Sequence, residues 1–278
     1  MSSDSAVGAG RTPRAKLTAP MIVEMKRRGE PVAVVTAYDF PTARLADQAG
    51  AEILLVGDSV GTVLLGYDST LPVSMADILH HTRAVTRART SALVVADMPF
   101  MSYQVSVEQA VENAGRLIQE GGADAVKLEG GERVAAAVRR MVEIGIPVMG
   151  HLGLTPQSVL AMGGYRVQAR GEADQERLLK EAKLLEECGC FSIVLESIPA
   201  RLGSEVSRAL HVPTIGIGAG VGCDGQVLVS NDLLGLYHGR TAKFVRRYAE
   251  LGDMVRGAFE RYVADVKARR FPGDAESY

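Results

Sequence analysis

Five runs of aliphatic residues in this chain stop at an ionisable side chain. They are ILLVGD (53–58), ALVVAD (92–97), AVKLE (125–129), PVMGH (147–151) and SIVLE (192–196). A short, continuous apolar run is the pattern of a strand buried on both faces, and a charge at its end marks where the strand leaves the core. Side chains alternate along a strand, so Lys127 and Glu129 share one face while Leu128 takes the other. Neighbouring strands lie about 4.8 Å apart, so acids at the ends of consecutive strands can converge. Asp58, Asp97 and Glu129 are expected to do so.

That convergence is costly. Two like charges ~4 Å apart repel by about 4 kcal/mol at an effective dielectric near 20. With Glu196, four acids face the single cation of Lys127. A divalent cation is the simplest remedy, and oxygen donors select a hard one, Mg²⁺ before Mn²⁺ or Ca²⁺. Such an ion keeps waters that two oxygens of a 2-oxo acid can displace. It then polarises the keto group and eases loss of a proton from the adjacent carbon. Glu196, the acid not consumed by the metal, is the expected base.

Each residue has a plainer reading as well. Asp58 could cap a helix, Glu196 could pair with an arginine, His151 could be a core histidine bonded to a carbonyl, and Lys127 could serve only Glu129. The pair His80-His81 lacks a matching third ligand and reads as structural or solvated. The run GIGAG (216–220) lacks dinucleotide spacing and suits close backbone approach better than a phosphate cradle. On these residues alone, a carbon–carbon lyase acting on a 2-oxo or 2-hydroxy acid and a non-catalytic metabolite-binding barrel both stay open.

The elements that must position these groups alternate between strand and helix. Strands are predicted at 31–39, 51–58, 92–97, 123–129, 147–151, 191–196 and 214–220, with a weaker eighth at 226–230. Helices are predicted near 41–49, 74–89, 106–120, 132–144, 172–187 and 200–210, several stopped by glycine. This is the order of a (β/α)₈ barrel, an α/β fold whose active site lies at the carboxyl ends of its strands. A doubly wound sheet would place a glycine-rich loop after the first strand, and the segment there is AYDFPTA. An additional helix at 17–30 is expected to close the barrel floor. An amphipathic stretch at 243–270 is expected to form a long C-terminal helix packed on the barrel or on a neighbouring subunit. Long segments at 59–73 and 152–171, with a break at 221–225, leave from strand carboxyl ends, where barrel enzymes build pockets. Residues 1–16 read as a disordered tail and 17–278 as one barrel domain.

Bulk composition narrows the function classes. The 278 residues carry a net charge of −2 and no Trp, which disfavours nucleic acid and acidic membrane surfaces as partners. No apolar run reaches transmembrane length, so a soluble protein is expected. Three cysteines, Cys188, Cys190 and Cys223, cannot close a disulfide set and read as packing residues. The first residues lack the apolar core of a secretory signal, so a cytoplasmic location is expected.

A family resemblance adds to this. The segments TAYD (36–39), LVGDSVG (55–61), GYDSTLPVS (66–74), ADMPFMSY (96–103), VKLEGG (126–131), GHLGLTPQS (150–158), GGYRVQ (163–168), VLESIP (194–199) and IGIGAG (215–220) resemble the ketopantoate (3-methyl-2-oxobutanoate) hydroxymethyltransferases over about residues 17–240. The resemblance implies a barrel of the phosphoenolpyruvate/pyruvate class and a homodecamer of two pentamer rings. It implies transfer of a one-carbon unit from 5,10-methylenetetrahydrofolate, the co-substrate, to 3-methyl-2-oxobutanoate, giving 2-dehydropantoate for coenzyme A. It also implies Mg²⁺ held directly by Asp58 and Asp97, with Glu129 able to act through water. By the same motifs Asp58, Ser59, Asp97 and Lys127 match substrate contacts, His151 matches a pocket position, and Glu196 matches the proton acceptor.

Overall fold

A computed structural model describes residues 14–236 and 241–278. Eight parallel strands close into a barrel in chain order: β1 (Val32–Thr36), β2 (Ile53–Val56), β3 (Leu93–Asp97), β4 (Ala125–Glu129), β5 (Val148–Gly153), β6 (Ser192–Glu196), β7 (Thr214–Ile217) and β8 (Gly225–Leu228). The last strand pairs with the first, Val34 opposite Val227. The expected (β/α)₈ architecture is therefore the observed one. No helix among the described residues is long and apolar enough to cross a membrane.

The helices are α1 (Ala19–Arg27), α2 (Phe40–Ala49), α3 (Val60–Val63), α4 (Met75–Thr86), α5 (Val107–Gln119), α6 (Ala135–Glu143), α7 (Val159–Met162), α8 (Glu172–Glu187), α9 (Ala200–Ala209), α10 (Ser230–Leu233) and α11 (Leu251–Lys267). Their ends follow local chemistry. Asp39 accepts the backbone N–H of Thr42 to open α2, and Gly50 closes it in the left-handed conformation. Ser74 and Asp77 form a reciprocal capping box at the start of α4.

Strand alternation splits the core in two. Val34, Ile53, Leu55, Leu93, Val95, Ala125, Met149, Val194, Ile215 and Val227 fill the barrel interior, and Ala19, Ile22 and Met25 of α1 seal its floor. Leu128, Val126, Val148, Ile193 and Leu195 face outward under α5, α6, α8 and α9. Lys127 and Glu129 are in phase with Ala125 and so continue the inward face, as the alternation requires.

Several boundaries differ from expectation. Strand β2 stops at Val56, so Asp58 lies beyond the strand rather than at its last position. Strand β7 ends at Ile217 because Gly218 and Gly220 take positive φ. The C-terminal helix begins at Leu251 instead of 243, and residues 241–250 are irregular. None of its residues is buried, and Val255, Phe259, Tyr262, Val263 and Val266 remain exposed, so this helix does not pack on its own barrel. The expected tail 1–16 lies outside the described residues up to position 13. Arg14 bonds the carbonyls of Gly50 and Ala51, and Lys16 pairs with Asp124 at 2.5 Å.

Candidate active site

The strands and the turn after β2 deliver the expected side chains to one mouth. Asp97, Lys127, Glu129 and His151 are each no more than 4 % exposed, and Asp58 is 5 % exposed. Glu196 is the most open of the group, its side chain 14 % exposed. The register of β4 with β5 sets Glu129 beside His151, and that of β5 with β6 sets Gly153 beside Glu196.

The charges form a chain. Lys127 Nζ lies 2.6 Å from Asp97 Oδ1 and 3.3 Å from His151 Nδ1. His151 stands between two acids, with Nδ1 3.4 Å from Glu129 Oε1 and Nε2 3.3 Å from Glu196 Oε2. The backbone N–H of Asp58 donates to Asp97 Oδ2 at 3.0 Å. Gly57 lies in this turn, where a Cβ would crowd Ser59 Oγ. Asp58 thus reaches the site by a turn after β2, not by strand alternation. Ser59 follows it and shares a 2.8 Å hydrogen bond with the hydroxyl of Tyr38.

Burial dominates the electrostatics. It raises the carboxyl of Asp58 well above its ordinary range, helped by the charges of Asp97 and Glu129. It raises Asp97 as well, against the opposing pull of Lys127. Burial works to lower the Lys127 ammonium, but Asp97, Glu129 and Asp58 outweigh it and the net direction is up. Burial and Lys127 likewise oppose a charge on His151, yet the neighbouring carboxylates of Glu129 and Glu196 lift it to about 9. Both shifts favour the charged forms of Lys127 and His151 beside the acids.

Three buried atoms at this site have ion-pair neighbours but no hydrogen bond of acceptable geometry: Asp97 Oδ1, Glu129 Oε1 and His151 Nε2. Among the described residues no three acid, histidine or cysteine side chains form a ready-made metal shell. Unsatisfied carboxylate oxygens beside a raised-pKa acid nonetheless suit a hard cation bound through one or two carboxylates and several waters, which is how Mg²⁺ is usually held. Asp58, Asp97 and Glu129 are the residues that fit it.

Gln157, Tyr103 and Tyr38 also belong to the site and were not singled out from sequence. Gln157 is buried in the loop after β5. Its backbone N–H donates to Glu129 Oε2 at 3.0 Å, and its amide Nε2 donates to Asp58 Oδ2 and to the Met98 carbonyl, both at 2.9 Å. Its Oε1 accepts from the Tyr103 hydroxyl at 2.7 Å and from Gln104 Nε2 at 3.2 Å. Their segments, TAYD, ADMPFMSY and GHLGLTPQS, carried the family resemblance, which was the available signal. His81 is structural, with Nδ1 2.7 Å from the Tyr38 carbonyl. Cys188 and Cys190 are buried free thiols, as their packing role required.

A cavity of about 460 Å³ opens beside this mouth, lined in part by Gly130, Arg133, Gly153, Gln168, Arg177 and Glu181. Its volume falls within the range of small-molecule sites, though the acid cluster is not in its lining.

Known proteins resemble this chain at two levels. Among solved structures, a phosphoenolpyruvate phosphomutase from Streptomyces platensis subsp. rosaceus superposes with a TM-score of 0.61 at 13 % identity, covering 91 % of this chain and 88 % of that one. A phosphonopyruvate hydrolase, solved in complex with oxalate and Mg²⁺, superposes at 0.60 and 13 % identity over 94 % and 92 %. At such identity these share the fold alone. Sequence relatives are much nearer. The 3-methyl-2-oxobutanoate hydroxymethyltransferase of Syntrophus aciditrophicus (strain SB) is 57 % identical over 95 % of this chain and 97 % of its own. That of Moorella thermoacetica (strain ATCC 39073 / JCM 9320) is 56 % identical over 95 % and 98 %. The sequence model described as ketopantoate hydroxymethyltransferase matches residues 16–274, which spans every strand and every acid of the mouth. By that match and those relatives, the chain belongs to the ketopantoate hydroxymethyltransferase family.

Proposed function

We propose that this protein transfers a hydroxymethyl group to 3-methyl-2-oxobutanoate, giving 2-dehydropantoate, with 5,10-methylenetetrahydrofolate as the one-carbon donor and Mg²⁺ as the metal. The observation that carries the reading is the gathering of Asp58, Asp97, Lys127, Glu129, His151 and Glu196 at the carboxyl ends of consecutive strands. Asp58 and Asp97 would hold the cation, with Glu129 as the third acid. When bound, the ion would polarise the keto group of the substrate and offset negative charge that develops there.

The chain's own groups divide the remaining work. Lys127, charged and buried against Asp97, offers its ammonium to a substrate oxygen. Ser59, held by Tyr38, supplies a hydroxyl beside Asp58. Glu196 stands at the open edge of the cluster and takes the C3 proton. His151, charged and in reach of Glu196, fixes the orientation of that carboxylate. The C3 carbon bonds to the methylene carbon of the folate as the first of that carbon's two bonds to nitrogen breaks. Water then displaces the second nitrogen and supplies the hydroxyl. The protons from C3 and from water end on the two nitrogens of the departing tetrahydrofolate. A buried mouth keeps bulk water from the reacting carbon.

A homodecamer fits the same reading, and the uncovered apolar face of α11 supports assembly with other copies. A cytoplasmic location accompanies it. The test is turnover of 3-methyl-2-oxobutanoate with methylenetetrahydrofolate, with and without Mg²⁺. Turnover that needs no folate would replace the proposal with a lyase.

A further inference from the structure

Gln157 occupies an unusual position for a neutral residue. It lies in the irregular segment after β5, yet it makes hydrogen bonds to two of the three acids proposed to surround the metal. One bond comes from its side chain, Nε2 to Asp58 Oδ2, and the other from its backbone, N–H to Glu129 Oε2. The two acids belong to different parts of the barrel, one after β2 and the other ending β4. The amide itself has no freedom to turn. Both hydrogens of Nε2 are used, since Met98 O takes the second, and Oε1 receives Tyr103 and Gln104. The Met98 carbonyl can only accept, so the amide orientation is fixed by its partner.

From this geometry we infer that Gln157 is the positioning residue that couples the conformation of the loop after β5 to the metal affinity of Asp58 and Glu129. The inference rests on the metal reading above. A donor on one oxygen of each carboxylate restricts rotation of the group and leaves the other oxygen for a cation. Glu129 Oε1 is already without a hydrogen bond. Because Gln157 is neutral, it aims the acids without competing for their charge, as a lysine in its place would. The same bonds seat residues 156–158 over the mouth. Coupling of this kind is reciprocal: if the seated loop favours the metal, the metal favours the seated loop.

The probe is Mn²⁺, titrated by electron paramagnetic resonance into the full-length protein. Gln157→Leu keeps much of the side-chain volume and removes the amide. It is expected to weaken Mn²⁺ binding by about tenfold or more, the usual cost of removing a group that orients a metal ligand. Tyr103→Phe removes the hydroxyl that fixes Oε1 and touches no carboxylate side chain. It should weaken binding by a smaller factor, and it decides the matter if Gln157→Leu fails to fold. A second readout separates positioning from general stability. Arg166 and Arg170 are exposed in the same loop. In the wild-type protein Mn²⁺ should slow tryptic cleavage at these sites, and in Gln157→Leu it should not. Wild-type affinity and wild-type protection in both variants would overturn the role of Gln157 alone. If the wild-type protein binds no Mn²⁺ at all, the metal reading falls and this inference with it.

Discussion

The two ends of the barrel hold comparable numbers of acids and treat them in opposite ways. At the amino end four carboxylates cap strand starts. Glu52 accepts the N–H of Ala33, Asp47 that of Ala92, Asp124 that of Val94, and Asp224 that of Thr214. Lys26 completes this floor, giving its ammonium to Asp224 at 2.9 Å and to the carbonyls of Ser207 and Val212. At the carboxyl end the acids face one another around Lys127 and His151 and leave Glu129 Oε1 without a hydrogen bond. An acid spent on backbone donors holds the fold. An acid pressed against other acids, at an electrostatic cost, is a candidate for binding a ligand.

The sharpest test of that contrast is Glu196→Gln. It should retain the substrate and metal yet slow C3 proton exchange in deuterated buffer by about 10²–10⁴-fold, the usual contribution of a general base. Exchange at near wild-type rate would remove Glu196 from the base role. Next in size is Lys127→Met, which strips the buried acids of their main counter-charge. Urea unfolding of the metal-free protein should show a loss of about 3–5 kcal/mol, as for other broken buried pairs. A loss under 1 kcal/mol would mean that the acids are already neutral there. At the floor, Lys26→Met should cost about 1.5–3 kcal/mol, the range for hydrogen bonds to charged groups, with kcat unchanged. A fall in kcat without a fall in stability would break the division between the two ends.

His151 gives the comparison a pH axis. Its pKa is raised from 6.5 to about 9, so the protein binds a proton there that the unfolded chain releases earlier. The resulting stability is fully present below about pH 6.5 and is lost as pH rises through about 9. Imidazole resonances of the metal-free protein should show His151 titrating near 9. A midpoint near 6.5 would mean that Glu129 and Glu196 do not hold it as the distances suggest.

Much of this was legible in the sequence because barrel strands obey simple rules. Continuous apolar runs gave the strands, and a two-residue period put Lys127 and Glu129 on one face, as found. Asp58 reached its place for a reason the alternation could not supply, namely the turn at Gly57 that brings its backbone onto Asp97. Gln157 was hidden because its partners lie 28 and 99 residues away, and an amide in a loop carries no periodic signal. The amphipathic pattern of 243–270 identified α11 correctly as a helix from Leu251 onward. It could not say whether the apolar face meets this barrel or another copy, since hydrophobic periodicity describes the helix and not its partner.

Gly153 carries a practical lesson for anyone wishing to retune this protein. It takes a positive φ beside β6, and a Cβ there would collide with the Glu196 carbonyl oxygen. Even alanine would push on the peptide of Glu196, the proposed base. Libraries meant to widen substrate range can vary much of the segment that follows, but they must hold this one position fixed.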